Sequence, residues 1–113
     1  MNTVCDLTDR HCKPCEGGVD AMSREQAEGM LGEVPGWELA DDGKSIRRRF
    51  EFKGFYSTMA FVNAMAWVAN REDHHPDFTT GYNYCDVTFS THAIDGLSEN
   101  DFICAAKVNA LLD

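Results

Sequence analysis

The stretch from residue 72 to residue 92, "EDHHPDFTTGYNYCDVTFSTH", carries histidines near both of its ends and an alternating pattern between them. Val87 and Phe89 alternate with polar residues, which is the period of two typical of a half-buried strand. Gly, Tyr and Asn at 81–83 are typical of a bend between two strands. The stretch therefore predicts a β-hairpin with histidines at the outer ends of its legs.

The number of residues on each side of this bend predicts where the histidines meet. With the bend at Asn83, His75 lies eight residues before it and His92 lies nine residues after it. Antiparallel strands pair residues that are equally far from the bend, and neighbouring strands lie about 5 Å apart. We therefore expect His74, His75 and His92 to meet at one edge of the sheet.

A long helix is predicted immediately before the hairpin, over residues 54–71. Proline disfavours helical geometry in the residue that precedes it, so the helix should end before His75. The helix carries two adjacent apolar stripes, which indicates burial on more than one side, either under the sheet or between subunits. The stripes comprise Phe55, Met59, Val62, Ala66 and Ala69, and then Phe61, Met65 and Val68.

A second hairpin and two capped helices complete the order of elements. Asp42-Gly43 is a strong turn signal between two strand-like segments. Ser23 and Ser98 each open a helical pattern and have a capping partner three residues later. The order α-β-β-α-β-β-α predicts an α+β fold, with a four-stranded antiparallel sheet and helices packed on one face. We expect an N-terminal extension over 1–20 and one domain over 21–113.

Charge and hydropathy exclude some classes of function. The 113 residues fit a single domain, and their net charge of −9 argues against direct nucleic-acid binding. The basic run Arg47-Arg48-Arg49 is interpreted as strand positions rather than as a binding patch. The sequence suggests neither a membrane span nor a signal peptide, so we expect a cytoplasmic protein without membrane contact.

The five cysteines form two groups. Cys85 and Cys104 lie in apolar patterns and are predicted to be buried, and the odd total favours reduced thiols. The second group lies in the N-terminal extension, where it could hold zinc or exchange thiols, although a second Cys-x-x-Cys pair is missing. This group comprises Cys5, His11, Cys12 and Cys15.

The predicted histidine cluster has the chemistry of an acid-base site. Imidazoles can both give and take a proton near neutral pH, and Asp101 in the first turn of the last helix could orient one of them. A surface loop and a zinc site are the alternatives. If both are extended, the adjacent side chains of His74 and His75 point to opposite faces, so we predict no metal here.

At this point the sequence resembles the pterin-4a-carbinolamine dehydratase family, from about residue 22 to the end. The resemblance depends on "DHHPDF" at 73–78, "GYN" at 81–83, "STH" at 90–92 and "GLSENDF" at 96–102. The segments "PGW" at 35–37 and "FVNAMAWVA" at 61–69 also fit. More weakly, "CKPCEGG" resembles an extension found in bacterial and plant relatives.

The resemblance implies both an activity and a set of site residues. The activity is dehydration of 4a-hydroxytetrahydropterin to quinonoid dihydropterin, which recycles the pterin after an aromatic amino acid hydroxylase, and it needs no metal or organic cofactor. A link to another pterin pathway, such as that of molybdopterin, stays open. The implied catalytic residues are His74, His75 and His92, and the implied supporting or substrate-binding residues are Asp73, Pro76, Phe78 and Asp101.

Three positions qualify this expectation. Phe78 stands where animal members carry tryptophan, so an aromatic wall is kept and an indole N–H is lost, and Asn70 replaces an acid. Trp37 is a second candidate for the pterin wall, but core packing is the simpler interpretation.

The resemblance also implies a homodimer or homotetramer, and it leaves a coactivator-like protein-binding module as the alternative function.

Overall fold

The computed structural model describes residues 7–13 and 20–112, and its elements follow the predicted order. The sheet has four strands in the order β1-β2-β4-β3, and every neighbouring pair is antiparallel. The elements are α1 (Arg24–Leu31), β1 (Glu38–Leu39), β2 (Ile46–Glu51), α2 (Phe55–Glu72), β3 (Asp77–Thr80), β4 (Tyr84–Phe89), a 3₁₀ turn (His92–Ile94) and α3 (Glu99–Ala110). The predicted α+β fold is confirmed.

The hairpin of β3 and β4 bends where the sequence predicts it. Asp77 pairs with Thr88, which centres the bend between Tyr82 and Asn83. The histidines lie just beyond the paired strands rather than within them, because α2 runs to Glu72 and the chain after Phe89 turns into a 3₁₀ helix. The hairpin legs are therefore shorter than the sequence indicates.

One face of the sheet is apolar and lies under the helices. Apart from Arg48, the inward positions of the two central strands are buried, and the alternate positions are exposed or partly exposed. Arg48 falls on the inward face, where its guanidinium lies 4.4 Å from the centroid of the Phe50 ring and donates to Asn109 Oδ1 at 2.7 Å. A charged residue is tolerated there because α3 supplies an acceptor and Phe50 supplies a π face.

Trp37 belongs to the core, as the simpler interpretation has it. It is 5% exposed, its ring lies 5.6 Å from that of Phe89, and its indole N–H donates to Asn109 Oδ1 at 2.8 Å. Trp37 is therefore not available as a wall for a ligand.

Cys85 and Cys104 are buried as predicted.

Helix α2 is buried on one side and exposed on the other. Its second predicted stripe, Phe61, Met65 and Val68, is buried, whereas Phe55 and Ala66 of the first stripe are exposed. The N-terminal strap, which is residues 7–13, packs against the same core through Leu7, which is 1% exposed. Within the described part of the chain, no helix combines the length and the apolar character that crossing a membrane requires.

Candidate functional site

The end of α2 fixes the position of His74. Asp73 adopts a left-handed conformation with φ 51° and ψ 42°, and its amide donates to the Asn70 and Ala69 carbonyls. The His74 amide donates to the Ala69 carbonyl at 3.1 Å. These bonds form a Schellman motif, in which one left-handed residue turns the chain out of the helix. Pro76 then prevents the helix from continuing.

His74 and Asp101 form a short hydrogen-bonded pair. His74 Nε2 lies 2.6 Å from Asp101 Oδ1, and the side chain of Asp101 is fully buried while that of His74 is 12% exposed. A carboxylate only accepts hydrogen bonds, so Nε2 carries the hydrogen. In the neutral imidazole this leaves Nδ1 as the nitrogen that can take a proton.

The other carboxylate oxygen of Asp101 is held by two donors. Thr91 Oγ1 donates to Oδ2 at 2.8 Å, and the Ser98 amide donates to the same atom at 3.0 Å. The Thr91 and Ser98 hydroxyls lie 2.8 Å apart, so Ser98 donates to Thr91. These contacts satisfy a fully buried carboxylate at the N-terminus of α3, where the helix dipole also favours negative charge.

The imidazole of His74 is also held by an aromatic ring. It stacks on Phe89 with the ring centroids 6.0 Å apart and the planes 10° from parallel. Ring stacking fixes the plane of the imidazole, and the bond to Asp101 fixes its rotation. The imidazole of His74 is therefore held in one orientation and is mostly buried, unlike that of a surface histidine.

A cavity of about 540 Å³ opens beside His74. Its walls come from the end of α2, the start of α3 and the N-terminal strap, whose Cys12 and Lys13 contribute to them. The remaining lining residues include Arg71, Glu72, Asp73 and Asn100. The cavity is large enough for a bicyclic ligand.

The other two predicted catalytic histidines stand apart from this pair. His75 and His92 are exposed, and neither lines the cavity beside His74 among the described residues. His92 instead lines a smaller depression of about 280 Å³ that also includes Thr91 and Asp95. Thr91 connects the cavity beside His74 with this depression. Its hydroxyl donates to Asp101, and His92 is the next residue in the chain.

The supporting residues are also spread over the surface around the site. Asp73 lines the cavity, and Pro76 follows His75 without doing so. Phe78 lies on the edge strand β3, whose four residues are all exposed, and its own exposure is 45%. On the described chain, the site thus gathers His74, Asp101 and Asp73. It leaves His75, His92 and Phe78 exposed and Pro76 partly exposed.

Glu72 lies next to the predicted cluster in the sequence, but the sequence analysis gave it no role in the site. Its side chain is 2% exposed; it accepts from the Cys12 amide at 2.7 Å and lies 2.9 Å from His11 Nδ1. Burial alone would raise the pKa of Glu72, but the bonds from Cys12 and His11 and the charge of Lys107 together lower it below the ordinary value of 4.5. No periodic pattern marks this role, since the partners come from the N-terminal strap.

The suggested N-terminal zinc or thiol site is only partly within the described residues. Cys5 and Cys15 lie outside them, while His11 bonds Glu72 and Cys12 lies 3.5 Å from Cys104, sulfur to sulfur. Among the residues that are described, no three His, Cys, Asp or Glu side chains are grouped so as to hold a metal ion.

Comparisons with known proteins identify the family of this chain. The model of the family described as pterin 4 alpha carbinolamine dehydratase matches residues 20–111. A protein of Nitrosomonas eutropha, provisionally named pterin-4-alpha-carbinolamine dehydratase, is 61% identical over 113 residues and is covered over 98% of its length, against 99% of this chain. A provisionally named homologue of Legionella pneumophila (strain Lens) is 55% identical over 108 residues, covering 95% of this chain and 96% of its own.

Two solved structures share the fold. A transcriptional coactivator/pterin dehydratase from Brucella melitensis has a TM-score of 0.79 and 33% identity, over 83% of this chain and all of its own. A pterin dehydratase-like protein identified as a RuBisCO assembly factor has a TM-score of 0.59 and 26% identity, over 66% of this chain and 87% of its own. The match of the family model over most of the chain decides the assignment: the chain belongs to the pterin-4a-carbinolamine dehydratase family.

Proposed function

We propose that this protein catalyses the dehydration of 4a-hydroxytetrahydropterin to quinonoid dihydropterin. The observation that carries the proposal is the His74–Asp101 pair, in which a buried carboxylate orients an imidazole beside a cavity of about 540 Å³. A protein that only binds a partner has no need of an oriented imidazole at a cavity. Membership of the dehydratase family supports the same conclusion.

The reaction requires two proton transfers, and histidines can perform both. One proton goes to the 4a-hydroxyl oxygen, which takes the electrons of the carbon–oxygen bond and leaves as water. Another proton leaves the adjacent ring nitrogen, whose electrons form the new carbon–nitrogen double bond. We assign His75 to binding or protonating the hydroxyl, and we assign the remaining acid and base roles to His74 and His92.

His74 is the best prepared of the three for the role of base. Its bond to Asp101 leaves Nδ1 to accept the proton, and the buried carboxylate stabilises the imidazolium that forms. Positioned acid-base groups of this kind accelerate a reaction by about 10²- to 10⁴-fold. Asp73 at the cavity rim and Phe78 on β3 are proposed to contact the pterin. In the cell, the product would be returned to the pool used by an aromatic amino acid hydroxylase.

We also propose that the protein self-associates. Tyr56, Ala60, Asn63 and Trp67 recur at helical spacing on α2 and are all exposed, with Tyr56 at 88% and Trp67 at 63%. Strand β3 pairs only with β4 within the described chain, so its outer edge is unpaired. A second copy would cover such surfaces, and homodimers and homotetramers are the expected forms.

A protein-binding role without turnover is the alternative. The printed descriptions of the two solved relatives include a coactivator and an assembly factor. The observation in its favour is the same exposed aromatic face of α2. A binding role of this kind does not require the oriented His74, so measurements of turnover separate the two functions.

The test is the rate at which the carbinolamine disappears, with the protein present and absent. We expect acceleration by the wild-type protein and its loss in the triple variant His74→Ala, His75→Ala and His92→Ala. Lys53→Ala is the control, because Lys53 is exposed and does not line the cavity. A wild-type protein that does not accelerate the reaction, or a fully active triple variant, would contradict the proposal.

A further inference from the structure

The N-terminal strap is attached to the rest of the protein by hydrogen bonds. The side-chain amide of Asn100 accepts from the Lys13 amide at 3.0 Å and donates to the Lys13 carbonyl at 2.7 Å. The Cys12 amide donates to Glu72 at 2.7 Å, and Lys107 donates to the Thr8 carbonyl at 2.8 Å. The strap is thus held at a defined position against α2 and α3.

This attachment brings two thiols together. Cys12 Sγ and Cys104 Sγ lie 3.5 Å apart, although the residues are 92 positions apart in the chain. Cys104 is buried, whereas Cys12 is partly exposed and lines the cavity beside His74. One thiol is therefore accessible to a small oxidant, and the other is within reach of the first after a small movement of the strap.

We propose that Cys12 and Cys104 are a reversible thiol–disulfide site that locks the strap to α3. The oxidant is a peroxide. The Cys12 sulfur attacks one peroxide oxygen and becomes a sulfenic acid, while the other oxygen leaves as water. The Cys104 sulfur then attacks the Cys12 sulfur, the Cys104 proton joins the departing hydroxyl, and a second water leaves. Two thiols and one hydrogen peroxide thus give one disulfide and two waters, and a dithiol reductant reverses the change.

The environments of the two thiols support this order of events. The hydrogen bond with Cys12, followed by burial, raises the pKa of Cys104 above its ordinary value of 9.0. Cys104 therefore resists direct oxidation by peroxide, since the thiolate is the reactive form. In the second step its proton passes to the departing hydroxyl as its sulfur attacks, so no free Cys104 thiolate is needed. Cys12 is the first sulfur to react, and Cys104 is the resolving partner.

The disulfide would connect the strap to the part of the molecule that holds His74. Cys104 lies one helical turn after Asp101, and its thiol lies 4.0 Å from the His74 carbonyl oxygen. Closing the bond would keep Cys12 and Lys13 in the cavity wall and prevent the strap from leaving it. The disulfide can form whether or not the cavity binds a pterin, so its test is independent of the proposed activity.

The experiment is oxidation of the full-length protein with hydrogen peroxide, followed by peptide mapping without reductant. Chymotrypsin cuts after Phe89 and Phe102 and so separates Cys85 from Cys104. We expect a linked pair of peptides that contains residues 12 and 104. The pair should disappear with dithiothreitol and in Cys12→Ser, and it should persist in the control Cys15→Ser.

Thermal unfolding supplies a second measurement. A cross-link that closes so long a loop should raise the wild-type midpoint by about 5 °C or more under oxidising conditions. Neither Cys12→Ser nor Cys104→Ala should show a midpoint that rises under oxidising conditions. Because Cys12 is partly exposed, Cys12→Ser should fold, and it tests the proposal even if Cys104→Ala does not fold. A link between Cys12 and Cys15, a lone Cys12 sulfenic acid, or no oxidation at saturating peroxide would overturn the proposal.

Discussion

The Nε2 atom of His74 lies 2.6 Å from Oδ1 of Asp101, a residue 27 positions later in the chain. The contact joins the segment that leaves α2 to the first turn of α3. The orientation of the imidazole therefore depends on how two helices pack over the sheet, and the carboxylate gives up contact with water to make it. The first prediction changes this pair.

Asp101→Asn should slow dehydration by about 10²- to 10⁴-fold while the protein stays folded. The amide oxygen is expected to keep the bonds from Thr91 and Ser98, which places the NH₂ group toward His74. An NH₂ group donates, so the imidazole hydrogen must move from Nε2 to Nδ1. Steady-state kinetics measures the first effect, and ¹⁵N chemical shifts of the imidazole report the tautomer.

Glu99→Gln is the matched control for this variant. Glu99 lies in the same helical turn, but its side chain is 53% exposed and pairs with the exposed Arg10. Exposed pairs contribute little, so we expect a rate within about twofold of the wild type. An Asp101→Asn enzyme with an unchanged rate and an unchanged tautomer would show that the carboxylate does not orient His74.

Thr91→Val should destabilise the protein by about 1–3 kcal/mol, because it removes a donor from a buried carboxylate. Thr91 is 4% exposed, and its hydroxyl bonds both Asp101 and Ser98. Thr91→Ser restores the hydroxyl and should recover most of the loss. Urea unfolding measures both variants, and a valine variant as stable as the wild type would argue against the network.

Asp73→Val should cost about 1–2 kcal/mol of unfolding free energy, because a β-branched residue is strained in the left-handed region. Asp73 has φ 51° and is the residue that turns the chain from α2 toward His74. Asp73→Gly accepts this conformation without strain and is the matched control. Equal urea midpoints for the two variants would show that the backbone conformation at Asp73 carries no such cost.

Periodicity and turn chemistry were sufficient to predict the fold. Asp42-Gly43 and the bend at 81–83 located both hairpins, and the spacing of Ser98 and Asp101 located the start of α3. Such signals are local, so they can be read without knowledge of tertiary contacts. The predicted register of the hairpin of β3 and β4 also placed the segments around His74 and His92 near each other.

The rest of the site depends on contacts between distant segments. Nothing near Glu72 or Asn100 in the sequence indicates that the N-terminal strap binds both of them. Thr91 follows the strand pattern as an ordinary polar position, and its bond to Asp101 exists only once α3 packs on the sheet. The strap itself has no apolar periodicity, because single side chains rather than a repeating face attach it.

Glu72 should make the attachment of the strap dependent on pH. The pKa of Glu72 is lower in the folded protein than its ordinary value of 4.5. Burial acts to raise this pKa, but the combined effect of Cys12, His11 and Lys107 in lowering it is larger. A carboxylate with a lowered folded pKa stabilises the protein above its unfolded pKa. That stabilisation is lost as the pH falls below about 4.5 and through the folded pKa.

The measurement is the stability of wild type and Glu72→Gln between about pH 3 and pH 7. We expect the wild type to be the more stable protein near neutral pH and the difference to shrink as the pH falls. Faster tryptic cleavage after Arg10 in the variant would report release of the strap. Glu51→Gln, at an exposed strand position, is the control. A difference that does not change with pH would mean that the charge of Glu72 does not hold the strap.

Trp67→Glu should reduce the size of the oligomer, because it places a charge on the exposed face of α2. Trp67 is 63% exposed, and Tyr56 lies on the same side of the helix three turns earlier. Taking this carboxylate out of water between two copies carries a desolvation cost, even with Arg71 one helical turn later as an ion-pair partner. Size-exclusion chromatography with light scattering measures the mass of each variant.

Gly29→Glu is the matched control, since a side chain there meets no atom within 4 Å and adds the same charge to an exposed helix. If the wild type is a monomer, or if Trp67→Glu keeps the wild-type mass, a second copy does not cover this face, and a different protein partner becomes the better explanation of its aromatic residues.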